Sequence, residues 1–139
     1  MVCGLLSRLD VVRRFRIALA DAFDEEAEMY AASLEHYGFD VHLIQTGDVL
    51  LASETILRLS PDAVLTRILP KRFGIELVRV LRTNVVMTTV PIVILTSLGH
   101  SKILEEARCC GATEVLLLPV GADEIADLLG RHLRTQRSA

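Results

Sequence analysis

Five short, mostly aliphatic runs are spaced along the sequence, and each is followed by a segment in which apolar residues recur at helical spacing. Four of the runs lie at residues 17–20, 41–44, 92–95 and 115–118, and the third in chain order lies within residues 61–74. Strands that are apolar throughout are buried on both faces, which is typical of a parallel sheet covered by helices on each side. Because crossovers between parallel strands are right-handed, the pattern predicts a doubly wound α/β sheet.

Composition fits a single soluble globular domain. The chain has 139 residues, of which 51% are hydrophobic and 24% charged, with a formal net charge of -3, and this length is enough to bury a core without disulfides or metals. We predict an N-terminal extension at residues 1–15, an α/β domain at residues 16–134 and a short polar tail at residues 135–139.

The same composition narrows the environment and the partners. Aromatic residues make up only 4% of the chain and there is no Trp, so base stacking is poorly supported and we expect no nucleic-acid partner. No apolar stretch approaches the length that spans a bilayer, and the N-terminus lacks the order of a signal peptide. Three cysteines, two of them adjacent, do not form a secreted disulfide pattern. We therefore expect a cytoplasmic protein with no membrane partner.

The stretch from Pro61 to Gly74 carries the third run to its end in a basic loop. The carboxyl ends of parallel strands meet at one edge of a sheet, which is where such folds place their sites. The side chains delivered to that edge are Asp21, Ala22, Thr66, Arg67, Thr96, Ser97 and Leu118. We expect the function of the chain to depend on this edge.

Four segments resemble the receiver domain of bacterial response regulators, the family of the single-domain chemotaxis regulator. They are IALAD after the first strand, SPDAVLTRILPKRFG around the third, VPIVILTS at the fourth and GATEVLLLPV at the fifth. The resemblance covers residues 16–133. It implies a flavodoxin-like (βα)5 fold with strand order 2-1-3-4-5.

In that family an acidic pair after the first strand and an aspartate at the end of the third hold Mg²⁺, and the aspartate accepts a phosphoryl group from a histidine kinase. A lysine before the proline of the fifth strand and a Thr or Ser at the end of the fourth contact the phosphoryl group. These residue types suit the chemistry, since Mg²⁺ prefers carboxylate oxygens and phosphoryl transfer needs cations around the developing charge.

This sequence departs from the family pattern at most of those positions. Asp21 and Thr96 match it, but Ala22 replaces the second acid and Leu118 replaces the lysine. The acceptor position falls on Arg67 when the segment is aligned from Pro61 and on Thr66 when it is aligned back from Pro70, and neither is a carboxylate. We therefore expect no metal site, no cofactor, no aspartyl phosphorylation and no enzymatic activity.

Asp21 without a metal needs another cation, and Arg67 is delivered by a neighbouring strand. We predict that the two form an ion pair. The alternatives are that Arg67 extends into solvent, or that Thr66 points into the site instead.

Two functions remain open. The first is an atypical receiver domain of two-component phosphorelay signal transduction that binds a protein partner, or a second copy of itself, without phosphorylation. By resemblance to the family its partner face would contain Lys102, Glu106, Val115, Leu117, Glu124 and Arg131. The second is an anion or small-molecule binding module that uses a basic patch near the strand ends, Arg67, Lys71, Arg72, Arg79 and Arg82, although no Gly-rich phosphate cradle is present.

Overall fold

The computed structural model describes residues 14–21, 25–68, 71–97, 99 and 101–138. Residues 1–13 of the predicted extension, and Ala22 of the predicted site, lie outside these ranges. The strands are β1 Arg16–Ala20, β2 Asp40–Ile44, β3 Ala63–Arg67, β4 Ile92–Thr96 and β5 Glu114–Leu117. The α-helices are α1 Glu25–His36, α2 Val49–Leu59, α3 Phe73–Arg82, α4 Ser101–Cys109 and α5 Ala122–Ser138.

The five strands form one parallel sheet in the order β2-β1-β3-β4-β5. This confirms the predicted fold class and strand order. Helices α2, α3 and α4 pack on one face of the sheet around Ile56, Leu77 and Ala107. Helices α1 and α5 pack on the other face around Leu34 and Ile125. The continuous apolar strands arise because the apolar side chains of β1, β3 and β4 each pack against one of these two helical layers.

Local sequence signals set several helix ends. Asp48 caps α2, because its side chain accepts hydrogen bonds from the backbone N–H groups of Leu50 and Leu51 at 3.0 and 3.2 Å, the usual role of aspartate at this position. Gly38 follows α1 with φ +98°, and Gly111 follows α4 with φ +113°. Both conformations favour glycine, which pays no Cβ penalty there.

Some element bounds differ from the predictions. Helix α3 begins at Phe73, inside the stretch from Pro61 to Gly74 that was predicted to carry the third strand into a loop, and a 3₁₀ turn at Val85–Met87 follows the helix. Helix α5 continues to Ser138, across most of the predicted polar tail. Gln and Arg are good helix formers, and no Gly or Pro interrupts this segment.

Arg82, the last residue of α3, joins four parts of the chain. Its guanidinium donates hydrogen bonds to the carbonyl oxygens of Met87, Val90 and Gly111, the last two at 2.8 and 2.9 Å, and to Thr113 Oγ1 at 3.2 Å. Burial lowers the pKa of Arg82 from its usual value, yet an arginine stays charged at any physiological pH. The side chain therefore fixes the end of α3 against the segments that lead into β4 and β5.

None of the described helices combines the length and apolar character needed to cross a membrane.

Candidate functional site

The carboxyl ends of β1, β3, β4 and β5 lie side by side at one edge of the sheet. In the strand register Ala20 of β1 is opposite Thr66 of β3, Arg67 is opposite Leu95 of β4, and Thr96 is opposite Leu117 of β5. Asp21 follows β1 directly, and its backbone N–H donates to the carbonyl oxygen of Ile44 at 3.0 Å. The sheet thus brings Asp21, Thr66, Arg67, Thr96 and Leu118 to one edge, as their sequence positions predicted.

Arg67 lies between a buried and an exposed carboxylate. Its Nη1 is 3.8 Å from Oδ2 of Asp21, within ion-pair distance and beyond hydrogen-bond distance, and 3.3 Å from Oε2 of Glu26, to which it donates a hydrogen bond. The Asp21 side chain is 4% exposed, Arg67 is 16% exposed and Glu26 is 57% exposed. The guanidinium thus places positive charge beside a carboxylate that water hardly reaches, and this offsets the cost of burying Asp21.

Thr66 faces the other side of the sheet from Arg67. Neighbours along a strand point to opposite faces, and Val64 packs among α2, α3 and α4 whereas Leu65 packs among α1 and α5. Thr66 is fully buried, and its Oγ1 has no hydrogen-bond partner among the described residues. Arg67, and not Thr66, therefore lies on the side where Asp21 and Glu26 are found.

The loop between β3 and α3 follows an unusual path. Lys71 and Arg72 both have positive φ, 50° and 60°, a conformation that is uncommon for residues other than glycine. Gly74 then passes against the end of β3: a Cβ atom built on it would lie 2.4 Å from the carbonyl oxygen of Arg67. This contact fixes the start of α3 close to the strand end.

The predicted basic patch is largely neutralised by neighbouring groups. Arg72 pairs with Glu106 at 3.3 Å, and Arg79 pairs with Glu76 at 3.0 Å and with Glu106 at 3.5 Å. Arg82 donates to backbone carbonyls, as described above. Arg67 has its two carboxylates, and Lys71 alone extends from the patch with no ion pair among the described residues. Within the patch, Arg72 at the start of α3 and Arg79 within it thus connect this helix to Glu106 of α4 through ion pairs.

A cleft opens on the Arg67 side of this edge, between α1 and the loop from β5 to α5. We call it the Arg67 cleft; its volume is about 590 Å³, and it is lined by Glu26, Met29, Tyr30, Ser33, Arg67, Ser97, Leu118, Pro119, Val120 and Ala122. The Tyr30 hydroxyl donates to the carbonyl oxygen of Val120 at 3.3 Å and so links the two walls. Leu118, which precedes a cis proline, contributes an apolar side chain to the cleft.

The predicted partner face is only partly available as a surface. Lys102, Leu117, Glu124 and Arg131 are exposed on α4, β5 and α5. Glu106 instead faces α3 through its pairs with Arg72 and Arg79, and Val115 packs against the core. Glu124 and Arg131 line a shallow groove of about 230 Å³ together with Leu116, Val120, Asp127 and Leu128.

Sequence reasoning missed the contribution of α1 to the site. Glu26 and Tyr30 of α1 line the cleft, but neither is among the residues predicted for the site. Nothing in the local pattern shows that α1 leans over the strand ends, because that depends on how the helix packs against α5. The acidic residues in the first turn of α1, Glu25, Glu26 and Glu28, were the feature of the sequence that could have indicated a partner for Arg67.

The donor groups at this edge do not fit a magnesium ion. Mg²⁺ is held by carboxylates and water in octahedral geometry, whereas β3 ends in Thr66 and Arg67 and a guanidinium lies beside Asp21. Among the described residues no three His, Cys, Asp or Glu side chains gather closely enough to hold a metal.

We expect Arg67→Met to lower the free energy of unfolding by about 1–3 kcal/mol, because it removes a cation from beside a buried carboxylate. Asp21→Asn in the same background should restore part of the loss, with a coupling of about 1 kcal/mol in the double-mutant cycle measured by urea denaturation. Effects that add within about 0.3 kcal/mol would show that the two side chains do not interact.

Comparisons with known proteins agree on the fold. No protein-family model matches the sequence. The chain is 27% identical over 122 residues to the regulatory protein AtoC of Escherichia coli, a match that covers 87% of this chain and 26% of that protein. The chain therefore spans about a quarter of that relative's length.

Solved structures of receiver domains superpose on most of the chain. The receiver domain of a signal transduction histidine kinase from Syntrophus aciditrophicus has a TM-score of 0.74 at 24% identity and covers 87% of this chain and 91% of its own. The chemotaxis response regulator CheY4 of Vibrio cholerae has a TM-score of 0.74 at 21% identity, with 86% and 98% covered.

The receiver domain of the sensor histidine kinase PA1611 from Pseudomonas aeruginosa has a TM-score of 0.76 at 25% identity, with 86% and 98% covered, and its structure holds a magnesium ion in the active-site cleft. The present chain has the fold of a response regulator receiver domain. At the strand ends its residues differ in charge from the set that suits such an ion.

Proposed function

We propose that this chain is an atypical receiver domain of two-component phosphorelay signalling, which works in the cytoplasm without aspartyl phosphorylation and acts by binding a protein partner or a second copy of itself. It carries out no catalysis and uses no metal or cofactor. The observation that carries the proposal is the charge at the end of β3, where Arg67 lies 3.8 Å from Asp21. Its fold, which is that of the solved receiver domains, supports the signalling role.

The arrangement at the strand ends argues against phosphoryl transfer. Neither Thr66 nor Arg67 offers a carboxylate to accept the phosphoryl group, and Leu118 offers no charge to stabilise it. Transfer from a phosphodonor also requires metal and cationic groups around three phosphoryl oxygens. Arg67 supplies a cation here, but Asp21 and Glu26 already surround it.

We expect no acyl phosphate when the protein is incubated with acetyl phosphate or phosphoramidate and Mg²⁺. Intact-mass spectrometry should show the unmodified chain, while a receiver that carries the strand-end aspartate, treated in parallel, should gain one phosphoryl group. A stable, hydroxylamine-sensitive adduct on this chain would contradict the proposal.

Binding to a partner is tested on the exposed part of the predicted face. Leu117 is 50% exposed at the end of β5, and Lys102, Glu124 and Arg131 of the predicted face are exposed as well. We expect Leu117→Glu to abolish capture of the partner, or of a second copy, because a charge would have to be desolvated in the interface. Pull-down and sedimentation velocity would measure the loss.

The matched control is Val85→Glu, which places the same charge on a side chain that is 80% exposed in the 3₁₀ turn. This variant should bind like the unaltered protein. Equal binding by both variants would exclude the β5 face as the interaction surface.

The alternative of an anion-binding module on the basic patch is not favoured by any contact at that patch. Three of its five cations, Arg72, Arg79 and Arg82, already face carboxylates or backbone carbonyl oxygens.

A further inference from the structure

We propose that the Arg67 cleft binds a small amphipathic carboxylic acid, whose carboxylate pairs with Arg67 and whose apolar part packs between Met29 and the loop from β5 to α5. This inference goes beyond the proposed function and does not depend on it.

The cleft has the size and the lining of a small-molecule site. Its volume of about 590 Å³ lies within the range of roughly 300–1,000 Å³ in which such sites fall. Met29 forms one wall and leaves 70% of its surface exposed, while Leu118, Pro119 and Val120 form the opposite wall. A ligand with an apolar body would cover these side chains and remove their surface from water.

Arg67 gives the cleft its chemical selectivity. Among the described residues that line the cleft, Arg67 and Glu26 carry charge, and Ser33 and Ser97 add hydroxyl groups. Asp21 does not line it, so a ligand entering the cleft meets the guanidinium and not the buried carboxylate. Guanidinium groups bind carboxylates through two parallel hydrogen bonds, which fixes the orientation of the ligand as well as its charge.

Glu26 marks the place that a ligand carboxylate would take. Its Oε2 accepts from Nη1 of Arg67 at 3.3 Å, but its side chain is 57% exposed. An ion pair with one partner so exposed contributes little, because water competes for the carboxylate and holding the side chain costs entropy. A carboxylate attached to an apolar body inside the cleft would be less hydrated, and it would therefore replace Glu26 beside Arg67.

The test uses three eight-carbon probes that differ only in their head group: octanoate, octan-1-ol and octylamine. Titrations followed by ¹H–¹⁵N NMR should show octanoate shifting the amide signals of Met29, Leu118 and Val120. We expect octanoate to bind at least about tenfold more tightly than octan-1-ol, and octylamine not to bind the cleft.

Two matched variants separate competition for Arg67 inside the cleft from the general effect of removing one negative charge from α1. Glu26→Gln removes the competing carboxylate and should tighten octanoate binding by roughly three- to tenfold. Glu25→Gln makes the same change on the neighbouring residue, which does not line the cleft, and should alter the affinity by less than about twofold. Both positions are exposed, so neither variant threatens the fold.

Three outcomes would overturn the proposal. They are absence of octanoate binding up to about 10 mM, octylamine or octan-1-ol binding as tightly as octanoate, and an affinity that stays the same or falls in Glu26→Gln. None of them bears on the phosphorylation or pull-down experiments above, so failure here and failure of the proposed function are distinguishable.

Discussion

Replacing Gly74 with alanine is expected to lower the free energy of unfolding by about 2–4 kcal/mol. The added Cβ would lie 2.4 Å from the carbonyl oxygen of Arg67 and 2.8 Å from its carbonyl carbon. Both atoms belong to the backbone of a central strand, so they cannot move aside as a flexible side chain would. Relief requires α3 to shift away from β3, which would disturb the packing of Ile75 and Leu77 in the core.

The effect would be measured by urea denaturation followed by circular dichroism. Gly99→Ala is the matched control, because a Cβ at Gly99 meets no atom of the described residues beyond its chain neighbours within 4 Å, and it should change stability by less than about 0.5 kcal/mol. Equal stability of the two variants would mean that α3 does not approach the strand end as closely as described. A loss confined to Gly74→Ala would instead locate the contact that fixes α3.

Arg82→Met is the second large effect, with an expected loss of about 2–4 kcal/mol. Methionine keeps most of the apolar stem but removes the donors that bond to the carbonyl oxygens of Met87, Val90 and Gly111. Part-buried carbonyl groups that lose their partners are costly, since water cannot reach them freely. The variant should unfold at lower urea concentration, and amide exchange should rise most in the 3₁₀ turn and at Thr113.

Arg79→Met, three residues earlier on the same helix, provides the control. Its guanidinium forms ion pairs with Glu76 and Glu106 at 46% side-chain exposure, and such exposed pairs contribute about 0–1 kcal/mol. If Arg82→Met and Arg79→Met lowered the free energy of unfolding equally, the hydrogen bonds of Arg82 to the backbone would contribute no more to stability than an exposed ion pair. Arg82→Lys should retain part of the stability by keeping one cation near those carbonyls.

The fold was predictable from the sequence because its strongest signals are physical requirements of the sheet. Continuous apolar runs predict strands that are buried on both faces, and the helical periodicity between them predicts helical crossovers. The strand order came from the resemblance to receiver domains. The ends of elements were less predictable. The start of α3 at Phe73 depends on two residues with positive φ, Lys71 and Arg72, which local propensity disfavours.

The members of the site that lie at the strand ends were predictable, but its geometry and the contribution of α1 were not. Parallel topology placed Asp21 and Arg67 at one edge, whereas the side on which Thr66 and Arg67 face depends on strand register, which the sequence left open. The neutralisation of the basic patch by neighbouring carboxylates was also not predictable from the sequence. Arg72 and Glu106 are 34 residues apart, so only the tertiary fold brings their charges together.

The contact between Arg67 and Asp21 has one further consequence for how this domain would respond to its surroundings. A metal ion leaves its site when its free concentration falls, whereas a guanidinium carried by the adjacent strand is tethered to its carboxylate and stays at a high effective concentration while the chain is folded. Under the proposed function, chelators, changes in magnesium concentration and changes in the supply of phosphodonors would leave this edge unaltered. A signal would then reach the edge through a molecule that competes for Arg67 or a partner that moves the helices around it.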